Sequence, residues 1–202
     1  MNSEKEANKS EKRIRELIVR GEINTKLSEM DSNKFVQFYL KQSEISLRTA
    51  VLLFEISTTK EEKEHHKLQQ EFETFLWVIN SAYYSMFYAV NAALASRNVK
   101  IKSEQGIHKT IAHAFFYFLI KNEQLAKRLF VDFSKAQQEA IGLLNIEEFE
   151  KKADILSKDL DYERSKRILF TYETTERIKQ MTAQVSLERA RNFFETVRIF
   201  AK

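Results

Sequence analysis

The sequence predicts an all-α protein. The 202 residues contain no proline and only three glycines, Gly21, Gly106 and Gly142, while apolar residues recur at helical spacing. Glycine and proline supply most turn chemistry, so a β-rich fold with many tight turns is not expected. The same scarcity leaves no Gly-rich phosphate loop of the dinucleotide or Walker type. Cysteine is absent, which removes disulfides, thiolate metal sites and cysteine nucleophiles. The length suits one domain with room for an appendage, and can bury roughly 70% of the unfolded surface.

Taken in order, residues 3–28 read as a charged helix with a thin apolar stripe: Ile14, Leu17, Ile18 and, past Gly21, Ile23 and Leu27. Such a stripe docks weakly or frays, so residues 1–30 are expected to form a charged N-terminal helical extension and 31–202 the main helical body. Asp31 or Ser32 can cap the next helix. It runs to about Ile56 on Phe35, Phe38, Tyr39, Ile45, Leu47, Val51, Leu52 and Phe54, and Ser57, Thr58 and Thr59 break it. KEEKEHHKLQQEFE, Lys60 to Glu73, is expected to be the solvated start of a third helix, which turns almost wholly apolar from Phe75 to Ala95. A helix apolar all round must be covered all round, which makes this one the centre of a bundle. Its Asn80, Ser81, Tyr83, Tyr84, Ser85, Tyr88 and Asn91 argue against a membrane span.

Arg97 to Lys102 reads as a short link, with Ser103 a good N-cap and Glu104 in the first turn. The fourth helix carries Ile107, Ile111, Ala114, Phe115, Phe118 and Leu119. From Gln124 to about Tyr172 the chain reads as helical, with an interruption around Gly142 to Asn145. A last helix follows, with Ser186 a local cap before LERARNFFETVRIF. The start of the chain is charged and has no signal-peptide core, so a soluble cytoplasmic protein is expected.

The net charge is +4, unevenly distributed. Residues 97–135 carry +5 and residues 162–202 carry +4, separated by −4 over residues 136–161. These are either solvated helix faces or two basic segments that meet and attract a polyanion. The four histidines, His65, His66, His108 and His113, include no pair four apart. His108 and His113 fall about 140° apart on a helix, so no metal site is expected, and no cofactor is implied. Nothing supports a Ser-His-Asp triad, since GxSxG is missing.

Two segments carry the remaining signal. In NSAYYSMFYAVNAAL, the positions Asn80, Tyr84 and Asn91 share one helix face with Phe87. Three polar groups on an apolar helix form either an internal hydrogen-bond network that fixes register, or the floor of a cleft or dimer contact. In DYERSKRILFTYE, Arg164, Lys166 and Arg167 stand beside Tyr162, Phe170 and Tyr172. That pattern suits phosphate contact with base stacking, or an amphipathic helix with a basic outer face.

At these segments the chain resembles the HEPN domain (higher eukaryotes and prokaryotes nucleotide-binding), in the small stand-alone form encoded beside minimal nucleotidyltransferases. SEISLRTAVLL, Ser43 to Leu53, fits the family's opening helix, and NSAYYSMFYA, Asn80 to Ala89, fits its central Ala-Tyr-Tyr helix. KSEQGI, Lys102 to Ile107, fits the link in part, and Arg167 to Tyr172 and Ala190 to Phe193 fit the closing elements. The resemblance covers roughly residues 35–202. It implies an antiparallel up-and-down helical bundle, commonly a homodimer with its groove near the twofold.

Many HEPN proteins are metal-independent ribonucleases with an arginine, four to six residues, then a histidine. Here Arg167 is followed after four residues by Tyr172, Ser81 replaces an arginine and Glu104 replaces a histidine. A tyrosine with a pKa near 10 is a poor base at neutral pH. Positions 167 and 172 are also about 140° apart on a regular helix. The resemblance therefore implies an RNA- or nucleotide-binding protein, a degenerate ribonuclease relative that acts with a nucleotidyltransferase partner in a toxin–antitoxin-like or defence setting. Arg167 would anchor phosphate beside Tyr172, with Arg164, Lys166, Asn80 and Tyr84 as further binding residues. Tyr172 is also a candidate acceptor for modification by the partner. The alternatives are a non-catalytic dimer or interaction scaffold, and an active metal-independent ribonuclease with an Arg167–Tyr172 site. The expected partners are a second copy, the nucleotidyltransferase, and RNA or a nucleotide, with no membrane.

Overall fold

The structure, a computed structural model, describes residues 2–102, 106–121, 125–144 and 176–201. Its elements are α1 (Asn2–Val19), β1 (Ile23–Asn24), α2 (Glu29–Thr58), α3 (Lys60–His65), α4 (Phe75–Ala95), β2 (Lys100–Ile101), α5 (Ile107–Phe115), a π-helical turn (Phe116–Ile120), α6 (Lys127–Leu144) and α7 (Glu176–Phe200). The protein is an all-α helical bundle, with one small antiparallel pair in which Ile23 faces Ile101 and Asn24 faces Lys100.

The apolar run of α4 makes it the hub, packed by α2, α5, α6 and α7. Ala82, Ala89, Val90 and Ala93 are small or β-branched and fully buried, which lets neighbouring helices approach closely. Three hydroxyl contacts fix α2 antiparallel to α4. Ser32 Oγ donates to the Ala95 carbonyl at 2.6 Å, Ser43 Oγ to the Ser85 carbonyl at 2.7 Å, and Ser57 Oγ meets Thr74 Oγ1 at 2.8 Å. Early residues of α2 thus meet late residues of α4. Coverage of α4 is incomplete, however, since Trp77 is 56% exposed and Ser81, Tyr84 and Tyr88 are only partly buried.

The N-terminal helix, expected as a charged extension that docks weakly or frays, is packed on the body of the bundle. Ile14 and Leu17 are fully buried in the main core, and α1 packs on α5 and the π turn. Ser10 Oγ sits 2.8 Å from His113 Nδ1, and Lys121 Nζ reaches Glu11 at 2.5 Å. The helix ends at Gly21, whose φ of +73° permits the paired closing bonds Gly21 N to Ile18 O and Glu22 N to Leu17 O, both at 3.0 Å. The stripe looks thin in sequence because two residues do most of the burying.

Other boundaries differ as well. The cap of α2 is Ser28, which accepts from the Asp31 amide, rather than Asp31 or Ser32. Lys60 to Glu73 does not lead continuously into α4. It forms the short α3, then a turn at Lys67 with φ of 55°, and the buried Lys63 ammonium donates to the Gln70 carbonyl. Glu73 then accepts the Phe75 amide at 2.9 Å. Gly106, at φ of 63°, immediately precedes α5, while Ser103 and Glu104 lie outside the described residues. Gly142 lies within α6 rather than at a break, and the region from Asn145 to Thr175 is outside the described residues. Ser186 is a buried mid-helix residue of α7 whose hydroxyl donates to Glu139 on α6, so it does not cap.

Candidate functional site

The site grows out of the uncovered side of α4. A regular helix places Trp77, Tyr84 and Tyr88 within a narrow arc, and these are among the residues of α4 left at least partly exposed. Aromatic pairs four apart on one helix touch, and two such pairs meet here across helices. On α4, Tyr84 and Tyr88 have centroids 6.2 Å apart. On α2, Phe35 and Tyr39 stack at 6.2 Å, and Phe38 sets its edge on Tyr39 at 5.3 Å. Tyr39 stacks on Tyr88 at 6.5 Å, which joins the pairs into one aromatic ladder. Lys100, from β2, holds its ammonium 3.5 Å from the Phe35 ring centroid, so one end of the ladder is cationic.

The other end is buried. His108, on α5, sits among Tyr83, Tyr84 and Phe87 with centroid distances of 5.6, 5.9 and 4.8 Å. The Tyr83 hydroxyl and His108 Nδ1 are 2.7 Å apart, both buried. Gln137, from α6, donates to the His108 carbonyl at 2.8 Å and locks the first turn of α5. Burial, and secondarily the neighbouring Tyr88, pushes the Tyr39 and Tyr84 phenols above their ordinary value. Both therefore stay neutral at physiological pH and keep a hydroxyl to donate.

Of the sequence-derived site residues, Asn80 and Tyr84 are in this region. Arg164, Lys166, Arg167 and Tyr172 lie outside the described residues. The expected polar network along Asn80, Tyr84 and Asn91 is not formed. Asn91 Nδ2 donates to the Phe87 carbonyl of its own helix at 2.9 Å, and Tyr84 takes part in ring contacts. Asn80 is 3% exposed, and neither its Oδ1 nor its Nδ2 has a hydrogen-bond partner among the described residues. A network needs facing polar groups on a neighbouring helix, and among the described residues Asn80 meets none.

Nothing in the sequence alone marks Phe35, Tyr39, Tyr88, Lys100 and His108 as site residues. The signal was the repeated aromatic pair at i and i+4 in both helices, which reads equally well as core. Among the described residues no three histidine or acidic side chains converge as a metal site requires, and no helix is long and apolar enough to cross a membrane. No protein-family model, curated protein or solved structure matches this chain.

Proposed function

We propose that this protein is a HEPN-type RNA- or nucleotide-binding protein that acts with a nucleotidyltransferase partner in a toxin–antitoxin-like or defence setting. The observation that carries the reading is the ladder Phe35–Tyr39–Tyr88–Tyr84, partly open to solvent, with Phe38 edge-on to Tyr39 and Lys100 over Phe35. Successive bases stack on such rings without regard to sequence, and nearby cations hold the phosphates. Tyr84 and Tyr88 of the ladder lie on the helix of the Ala-Tyr-Tyr resemblance, and the +5 balance of residues 97–135 includes Lys100. The resemblance adds Arg167 as a phosphate anchor, helped by Arg164 and Lys166, with Tyr172 as its companion in the motif.

The test is binding of a labelled single-stranded RNA at two salt concentrations, with Tyr39→Ala and Tyr84→Ala beside the wild type. Loss of base stacking costs about 1–3 kcal/mol per ring, so each variant binds about 5- to 150-fold more weakly. Equal binding by all three proteins overturns the ladder as the site. Cleavage of RNA without added metal, abolished by Arg167→Ala, would move the assignment from binder to ribonuclease.

A second reading, an interaction scaffold or homodimer, is favoured by α2. Phe38, Ile45 and Leu52 are about half exposed and seven residues apart, so they form one outward seam. A second copy on that seam would make the oligomeric state sensitive to Ile45→Glu in sedimentation.

A further inference from the structure

The unpaired amide of Asn80 assigns the reading above a more specific ligand, and the inference rests on that reading. We propose that Asn80 binds the hydrogen-bonding edge of a nucleobase whose ring stacks beside Tyr84. The fold satisfies its other buried polar side chains on α2 and α4: Ser32, Ser43 and Ser57 donate to carbonyls, and so does Asn91. Asn80 alone is left with both polar atoms unpartnered among the described residues, at 3% exposure. A buried unpaired group is costly, and leucine has nearly the same shape without that cost. An asparagine here lowers stability unless a ligand completes it.

The pattern of vacancy selects the ligand. A phosphate or carboxylate only accepts, and would satisfy Nδ2 alone. A cation would satisfy Oδ1 alone. A nucleobase presents a donor beside an acceptor in one plane, which matches both ends of a carboxamide at once. The neighbourhood fits the rest of the base. Tyr84 is one turn along the same helix, partly exposed, and meets His108 edge-on at 5.9 Å and Tyr88 at 6.2 Å. The amide is closed to water in the free protein, so a base enters by displacing the side chains that cover it.

The experiment titrates the full chain with AMP and with ribose 5-phosphate, which has the same phosphate and no base. Wild type is compared with Asn80→Leu and Asn80→Ala, and urea midpoints are measured for all three. The expected result is a clear preference for AMP in wild type. Both variants lose about 5- to 150-fold in AMP affinity, the loss of one bidentate base contact. They keep the weak ribose 5-phosphate binding, and Asn80→Leu has an unchanged or higher urea midpoint. Equal binding of the two ligands by wild type, or undiminished AMP binding by both variants, overturns the proposal. So does a lowered midpoint for Asn80→Leu, because that marks a structural residue. If those results appear while single-stranded RNA still binds, only the base pocket fails. If wild type binds no RNA, the broader reading fails with it.

Discussion

Truncating Leu17 to alanine is the sharpest probe of how the chain is built. Leu17 is fully buried, yet it belongs to a helix whose composition reads as a loose appendage. Leucine-to-alanine changes in a packed core cost about 2–5 kcal/mol, because the lost methyl groups leave a cavity that closes only in part. For a chain of this size that corresponds to about 2–4 °C in Tm per kcal/mol. Val19, two residues on, is 87% exposed and provides the control within the same helix. Val19→Ala removes almost no buried surface, and surface changes stay within about 0.5 kcal/mol. The assay is urea unfolding followed by far-ultraviolet circular dichroism, with the slope checked for constancy so that the midpoint shift reads as stability. Leu17→Ala should lower stability by at least about 2 kcal/mol relative to Val19→Ala. Equal stabilities would mean that α1 is not part of the core, and the integration argued from Ile14, Leu17 and Ser10 would be wrong.

Three further outcomes follow from the same contacts. Tyr83→Phe removes the hydroxyl facing His108 Nδ1, leaves a buried ring nitrogen without that partner, and should cost about 1–3 kcal/mol in the same unfolding assay; an unchanged midpoint would show that the pair contributes nothing. The Lys121 ammonium, and secondarily Arg15, holds the Glu11 carboxyl below the usual glutamate range. A lowered folded value means the contact stabilises at pH above the unfolded glutamate value and is lost as pH falls through the folded one. An NMR pH titration of Glu11 in Lys121→Met should therefore show its midpoint moving upward, and no movement would remove Lys121 as the cause. The raised Tyr39 and Tyr84 phenols work in the opposite sense: their contribution is complete below the unfolded phenol value, about 10, and is lost as pH rises through the folded value. In a 295 nm spectrophotometric titration, Tyr84→Phe should remove a late-titrating phenol, and removal of an early one would contradict the burial argument.

Much of the fold is legible in the sequence because the strongest signals are long and periodic. The all-apolar Phe75 to Ala95 run marks the hub helix, and the long second and final helices follow from their stripes. What fails is local chemistry at boundaries. Ser28, rather than Asp31 or Ser32, caps α2, since several neighbouring residues offer a suitable oxygen and only packing of α2 on α4 fixes which one is used. Lys67 adopts a left-handed conformation that its residue type does not announce, so α3 and α4 separate where composition reads as one helix. The burial of α1 depends on α5 and the π turn, more than eighty residues away, and no local pattern encodes it.

The site is legible to a smaller extent. Asn80 and Tyr84 stand out as polar groups on an apolar helix, but their expected network requires facing partners that sequence does not reveal. The ladder needs Tyr39 of α2 to meet Tyr88 of α4, a contact set by helix register through Ser32, Ser43 and Ser57. Lys100 joins it because the short strand pair aligns the link after α4 with the link after α1. Each partner reads as ordinary core or surface on its own.

Trp77 offers the most direct test of the nucleic-acid assignment. It is the single tryptophan, 56% exposed, and shares the open face of α4 with Tyr84 and Tyr88. Its fluorescence should be quenched on titration with a short single-stranded RNA at low salt. The affinity should fall as salt rises, with a log–log slope of about −0.7 per phosphate contacted, and Tyr39→Ala with Tyr84→Ala should weaken binding further. No quenching together with no binding by anisotropy, or binding indifferent to both salt and the two tyrosines, would contradict the account.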